Sequence, residues 1–255
     1  MEKSKSLWPV PIMVLFIFVF QQFASGIGRL VAGLFTYDRI DPYNLFAWVS
    51  VHHIVQMIIA LMAIGILVKV KNLDFGFRLG NVKVGLEHIL NFSIFLFIYV
   101  IVFYIITFVF FSFSAPNHPL NLTNVAGRLG FQLLLSGPSE EILFRALPIT
   151  LLAYCLKSSK FITVNKKIAG VSSFDVSLET VIVAVLFAIA HIGWEINPFS
   201  ITHLYVHQLI LSFVFGIFYG VAYQKSKSVI YPMIMHSMSN VVIVGARYVL
   251  SIFFG

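Results

Sequence analysis

The chain has 255 residues, of which 59% are apolar, 27 are Phe and only 11% are charged; soluble domains run at about 45–50% apolar and about 25% charged. So few polar groups could not cover so large a core, which excludes a soluble globular enzyme and a disordered chain, and the lone Cys155 excludes a disulfide scaffold. The net charge of +7 is spread over short connections and forms no nucleic-acid patch, so no nucleic-acid partner is expected and the charge reads as a bilayer orientation signal.

A membrane-crossing helix needs about 20 mostly apolar residues. Helices are expected because lipid leaves no partner for an open backbone, and the alternation of barrel strands is absent. In chain order, apolar runs predict spans at 7–27, 45–68, 86–113, 129–155, 177–196, 205–223 and 229–252. An eighth short or re-entrant segment is an option near 194–206. The expected fold class is all-α, a polytopic transmembrane helical bundle of seven or eight spans forming one integral-membrane domain over 1–255. The first run has no convincing cleavage site at its end and reads as a retained span. In the fourth, Pro138 reads as a local break, with Ser136 or Ser139 as capping residues. In the sixth, Gly216 and Gly220 predict close helix packing.

The connections alternate in charge. One set holds Lys3 and Lys5, then Lys69, Lys71, Arg78 and Lys83, then Lys157, Lys160, Lys166 and Lys167, then Lys225 and Lys227. The other holds Arg29, Arg39, Arg128 and Arg247. By the positive-inside rule the first set, with the N-terminus, is cytoplasmic. The expected location is the cell membrane, multi-pass, or the endoplasmic reticulum membrane in a eukaryote, with membrane lipids as neighbours.

Charges inside a bilayer cost at least about 2.5–3.5 kcal/mol each on insertion scales, and they persist mainly where they have a function. Of the ten acidic residues, Glu140 and Glu141 alone lie well inside a predicted span. Neighbours on a helix diverge by about 100°. Glu141 can therefore pair with Arg145 at i+4, whereas Glu140 has Phe144 at i+4 and no local cation. An unneutralised carboxylate there suits a general base or a metal ligand. An ion-pair lock would explain Glu141 with Arg145, but not the second glutamate. His191 lies in the fifth span. His236 and Asn240, at i and i+4, share a face of the seventh. Imidazole can act as acid, base or ligand, and an Asn amide can donate to an oxyanion. Zinc would want three protein ligands, which Glu140, His191 and His236 could supply. On straight helices Glu140 falls near mid-membrane, His236 toward the cytoplasm and His191 nearer the outer face. His52 and His53 diverge as neighbours and read chiefly as packing residues, and His203 with His207, at i and i+4, as solvated interface residues.

In order and spacing, Glu140-Glu141-Ile142-Leu143-Phe144-Arg145, Phe187 to His191, and His236 to Asn240 resemble the CPBP intramembrane protease family. This family includes the CAAX prenyl-protein endopeptidases and the bacterial Abi or bacteriocin-processing proteins. A weaker glycine motif resembles Phe213 to Gly220. The resemblance covers about residues 125–245. It implies hydrolysis of a peptide bond in a prenylated or other membrane-associated peptide substrate. Glu140 and His191 would activate water, His236 and Asn240 would stabilise the oxyanion, and Glu141 and Arg145 would support the fourth helix or touch substrate. The family has been described both as metalloproteases and as glutamate-dependent proteases, so zinc stays open as a cofactor. Two other readings are a non-enzymatic bacteriocin-immunity or sensor-partner protein on the same scaffold, and a proton-coupled carrier using Glu140 and Arg145. A repeated half, expected of many carriers, is not evident.

Overall fold

The computed structural model describes residues 9–111, 113–156, 161–164, 174–196 and 199–254. The basic residues Lys3, Lys5, Lys157, Lys160, Lys166 and Lys167, on which much of the charge alternation rests, lie outside the described residues. Three long apolar helices come first: α1 (Pro9–Ala32), α2 (Ala47–Lys71) and α3 (Val82–Phe110). A helical run over 122–156 follows as α4. Hairpin β1 (Phe161–Val164) and β2 (Phe174–Ser177) precedes α5 (Leu178–Ile189). Hairpin β3 (Gly193–Ile196) and β4 (Phe199–His203) precedes α6 (Val206–Ser226) and α7 (Ile230–Phe254). Both hairpins are antiparallel.

Five described helices (α1, α2, α3, α6 and α7) are long and apolar enough to cross a membrane. At 1.5 Å per residue even α6, with 21 residues, reaches about 30 Å. The fifth predicted span is corrected. The helix there has 12 residues and ends at Ile189, about 18 Å, too short to cross alone. The polar and turn residues His191 and Gly193 then lead into β3 and β4, so 194–206 holds a hairpin rather than a further span. The all-α expectation is corrected in the same sense: the described chain is mostly helical, with two small hairpins. His203 ends β4 while His207 sits in the first turn of α6, so the pair does not share a helix face.

The axis of the bundle is α4. Residues 141–149 are all buried, as expected of a helix surrounded by others. Leu143, Ala146 and Leu152 pack with Ile17 and Ala24 of α1, Ala60 and Ile64 of α2, and Val183 and Phe187 of α5. A second cluster joins Phe92 and Leu96 of α3, Phe215 and Tyr219 of α6, and Met235 of α7. Outward faces stay apolar: Phe16 is 56%, Phe97 67% and Ile252 71% exposed, which in a bilayer is the lipid-facing side.

Three local features shape the centre. First, α4 is not a uniform α-helix: Gln132–Ser136 and Ile142–Ala146 are π turns that flank the α turn Gly137–Glu141. Pro138, which has no N–H to donate, lies between them. The predicted break is thus absorbed without interrupting the helix. Neither Ser136 nor Ser139 caps it. The cap is Asn121, whose side chain accepts from the Asn124 N–H at 2.9 Å. Second, a Cβ on Gly137 would lie 2.7 Å from the Met233 carbonyl oxygen and 2.9 Å from the Ser237 nitrogen. Only a glycine lets α4 approach the α7 backbone so closely. Third, Gly216 and Gly220 of α6 pack against Ala184 and Thr180 of α5, the close packing that their spacing predicts.

Candidate active site

The π turns and the Gly137 contact bring α4 against α7 at one level, with α2 on the other side. His236 Nδ1 donates to Glu141 Oε1 at 2.8 Å. A carboxylate accepts, so Nδ1 carries the proton and Nε2 is left facing inward. Nε2 lies 3.8 Å from Glu140 Oε2. The separation in depth expected for straight helices is therefore corrected for these two residues.

Glu140 is also not left without a basic neighbour. His53 Nε2, from α2, lies 3.9 Å from its other oxygen, Oε1. The far edge of that ring is fixed, because His53 Nδ1 and Ser139 Oγ share a hydrogen bond of 2.7 Å. Each oxygen of Glu140 thus faces one imidazole Nε2, at separations too long for direct hydrogen bonds. Among the described residues its direct hydrogen-bond partner is the Ser136 hydroxyl, which donates to Oε1 at 3.4 Å. The side chain keeps 17% exposure while Glu141 has none. That contrast leaves Glu140 reachable from outside the bundle and Glu141 sealed within it.

Glu141 is locked from two sides. Arg145 Nε lies 3.6 Å from Oε2, both side chains being fully buried. The guanidinium stands 3.9 Å over the Phe187 ring and donates from Nη1 to the Phe144 carbonyl at 2.9 Å. Cation–π contact and ion pairing each offset part of the desolvation of Arg145, whose Nε and Nη2 make no hydrogen bond among the described residues. Phe187 also meets His191 edge-on at 4.7 Å and His236 at 5.9 Å. The His236 ring stacks on Tyr219 at 5.1 Å, and the Tyr219 hydroxyl meets Ser239 Oγ at 2.7 Å.

His191 lies in the turn after α5. Its Nδ1 donates to the Phe187 carbonyl at 2.8 Å, which leaves Nε2 as an acceptor. Glu140 is within electrostatic reach of His236, His53, His191 and Arg145. Asn240 Nδ2 donates to Ser136 Oγ at 2.9 Å, one link from Glu140. The structure thus gathers Glu140, Glu141, Arg145, His236 and Asn240, with His191 at the edge. Among the described residues no group of three or more His, Cys, Asp or Glu side chains could hold a metal ion, and the trio Glu140, His191 and His236 is not arranged as one.

Sequence reasoning missed His53, Ser139 and Tyr219. A usable signal for His53 was the cluster of polar residues Ser50, His52, His53 and Gln56 in a mostly apolar span, of which the structure buries His53 and Gln56. His53→Ala should lower turnover about tenfold or more, by removing one neighbour of Glu140, and His53→Gln should recover part of it. An unchanged single-turnover rate for His53→Ala would make His53 a packing residue.

Residues 122–242 match the family model described as type II CAAX prenyl endopeptidase, Rce1-like. No curated protein and no solved structure matches the chain.

Proposed function

Through residues 122–242 the chain belongs to the CPBP family of CAAX-type proteases, and from that premise we propose that it is a multi-pass intramembrane endopeptidase whose reacting water is activated by Glu140. The observation that carries this reading is the asymmetry of the two glutamates. Glu141 is spent on His236 at 2.8 Å and Arg145 at 3.6 Å, while Glu140 faces two imidazoles and bonds neither directly.

In this mechanism Glu140 takes a proton from water as the water oxygen attacks the scissile carbonyl carbon. His191 Nε2 accepts the second water hydrogen and orients the nucleophile. The carbonyl π electrons move to oxygen. That oxyanion receives hydrogen bonds from Asn240 Nδ2 and, when His236 is protonated, from its Nε2–H. Glu141 holds His236 in register by accepting from Nδ1. On collapse the C–N bond breaks, and Glu140 returns its proton to the leaving nitrogen. No step needs a metal ion, and the described donors form no three-ligand set that zinc would want. The substrate class is a prenylated or otherwise membrane-associated peptide. The charge pattern supports a cytoplasmic N-terminus in a cell membrane, and the number of crossings depends on how α4 and the short α5 sit in the bilayer.

The test is cleavage by the purified protein, reconstituted in liposomes, of membrane-anchored peptides with and without a prenyl group, read by mass spectrometry. Specific products are expected, in amounts unchanged by prior treatment with EDTA. Loss of cleavage on chelation, restored by zinc, would overturn the metal-independent mechanism. Failure to cut any anchored peptide would sink the protease reading.

A further inference from the structure

A second polar site lies away from Glu140, where the ends of α3 and α7 and the start of α4 meet. A cavity of about 670 Å³ opens there. Arg128 of α4 and Arg247 of α7 both line it, and among the described residues no Asp or Glu does. Each guanidinium is tethered by a single described hydrogen bond: Arg128 Nη1 to the Leu45 carbonyl at 2.6 Å, and Arg247 Nη2 to the Ser114 carbonyl at 3.3 Å. An arginine has five N–H donors, so each retains donors to turn inward. The nearby acid, Asp41, lies within electrostatic reach of Arg128 but does not line the cavity. Its carboxylate accepts from the N–H groups of Leu45, Phe46 and Ala47 at 2.7–2.8 Å, at the start of α2.

We propose that this cavity binds the phosphate of an anionic phospholipid, through Arg128 and Arg247, with the lipid chain along Phe103, Ile243 and Val244. Three observations carry this. The two cations are 119 positions apart in sequence and the fold brings both to the lining of one cavity, where an anion would meet guanidinium donors from two helices. They also belong to the charge-poor set of basic residues, which the structure places within helices, Arg128 in α4 and Arg247 in α7. Orientation signals favour basic residues on the opposite side, so topology supplies no reason for them. Finally, the cavity has the amphipathic form of a lipid site. It sits at helix ends, where headgroups lie, and its apolar wall includes Phe103, 36% exposed on the outer face of α3. A lipid could enter sideways without leaving the bilayer. Basic pockets between membrane helices take phosphate headgroups by this chemistry.

The full-length protein in an uncharged detergent is the sample. Phosphatidylglycerol and phosphatidylcholine with identical chains are titrated into it and bound lipid is counted by native mass spectrometry. Two arginines near the surface should favour the anionic lipid by about thirtyfold. Arg247→Gln should cut that preference to about fivefold, and Arg128→Gln should do the same. Because Arg128 also holds Leu45, Arg247→Gln with an unchanged melting temperature is the decisive variant. Arg39→Gln, outside the cavity, should bind as the wild type. Equal affinity of the wild type for the two lipids, or a preference that stays near thirtyfold in Arg247→Gln, would overturn the proposal. So would displacement of phosphatidylglycerol by equimolar inorganic phosphate, which would mark a small-anion site. Arg247-dependent binding of a peptide with a free C-terminal carboxylate, without binding of the lipid, would overturn it in favour of a peptide site.

Discussion

Glu140→Gln is expected to reduce peptide cleavage by about 10²–10⁴-fold, the usual contribution of a general base, while leaving the protein folded. The amide keeps the size of the side chain, and its oxygen can still accept from Ser136, which among the described residues is the group that bonds Glu140 directly. What it cannot do is take a proton from water. Both nearby Nε2 atoms stand 3.8–3.9 Å away, so no short bond is broken by the change and the melting temperature should move by only a degree or two. Single-turnover cleavage and thermal unfolding, measured on the same preparation, separate the two effects. Cleavage at the wild-type rate would remove Glu140 from the mechanism.

Arg145→Met should do the reverse and act first on stability. Glu141 and Arg145 both have zero exposure, and removing one partner of a buried pair costs about 3–5 kcal/mol because the other charge is left uncompensated. The methionine also gives up the cation–π contact over Phe187. Arg145→Lys should rescue little, since a compact ammonium cannot reproduce a planar group stacked on a ring while also reaching Phe144. The double variant Glu141→Gln, Arg145→Met should be more stable than Arg145→Met alone, because no buried charge is stranded. It should still cleave poorly, since Glu141 would no longer hold His236 as a carboxylate. Thermal unfolding in detergent reads the first effect and kcat the second. An Arg145→Met protein that melts with the wild type would refute the assignment of the pair as a structural lock.

The sequence made the helices legible because lipid imposes one rule on every span. The predicted 45–68, 205–223 and 229–252 lie within two or three residues of α2, α6 and α7 at most ends. It failed at α5, where apolar residues continue past the helix end and hydropathy alone does not see the turn at His191 and Gly193. Within the site, Glu141 with Arg145 and His236 with Asn240 were readable because each pair is fixed by spacing on one helix. The partners of Glu140 were not. His53 reaches it from a helix about ninety residues earlier, and that meeting depends on how α2, α4 and α7 cross. The depth mismatch for His236 had the same origin: a straight α-helix was assumed where two π turns and Pro138 change the path of the backbone.

The i, i+4 placement of Glu141 and Arg145 has a consequence for how the molecule is made. His236, which holds Glu141 from outside, is synthesised 95 residues after it, so α4 must enter the bilayer before that support exists. Three unshielded charges in one helix would weigh against its entry by several kcal/mol. A cation placed one turn from Glu141 lets the helix neutralise one of its acids by itself during biogenesis, with no other segment in place. The same contact that steadies the finished protein thus serves earlier as an internal counter-ion for membrane insertion.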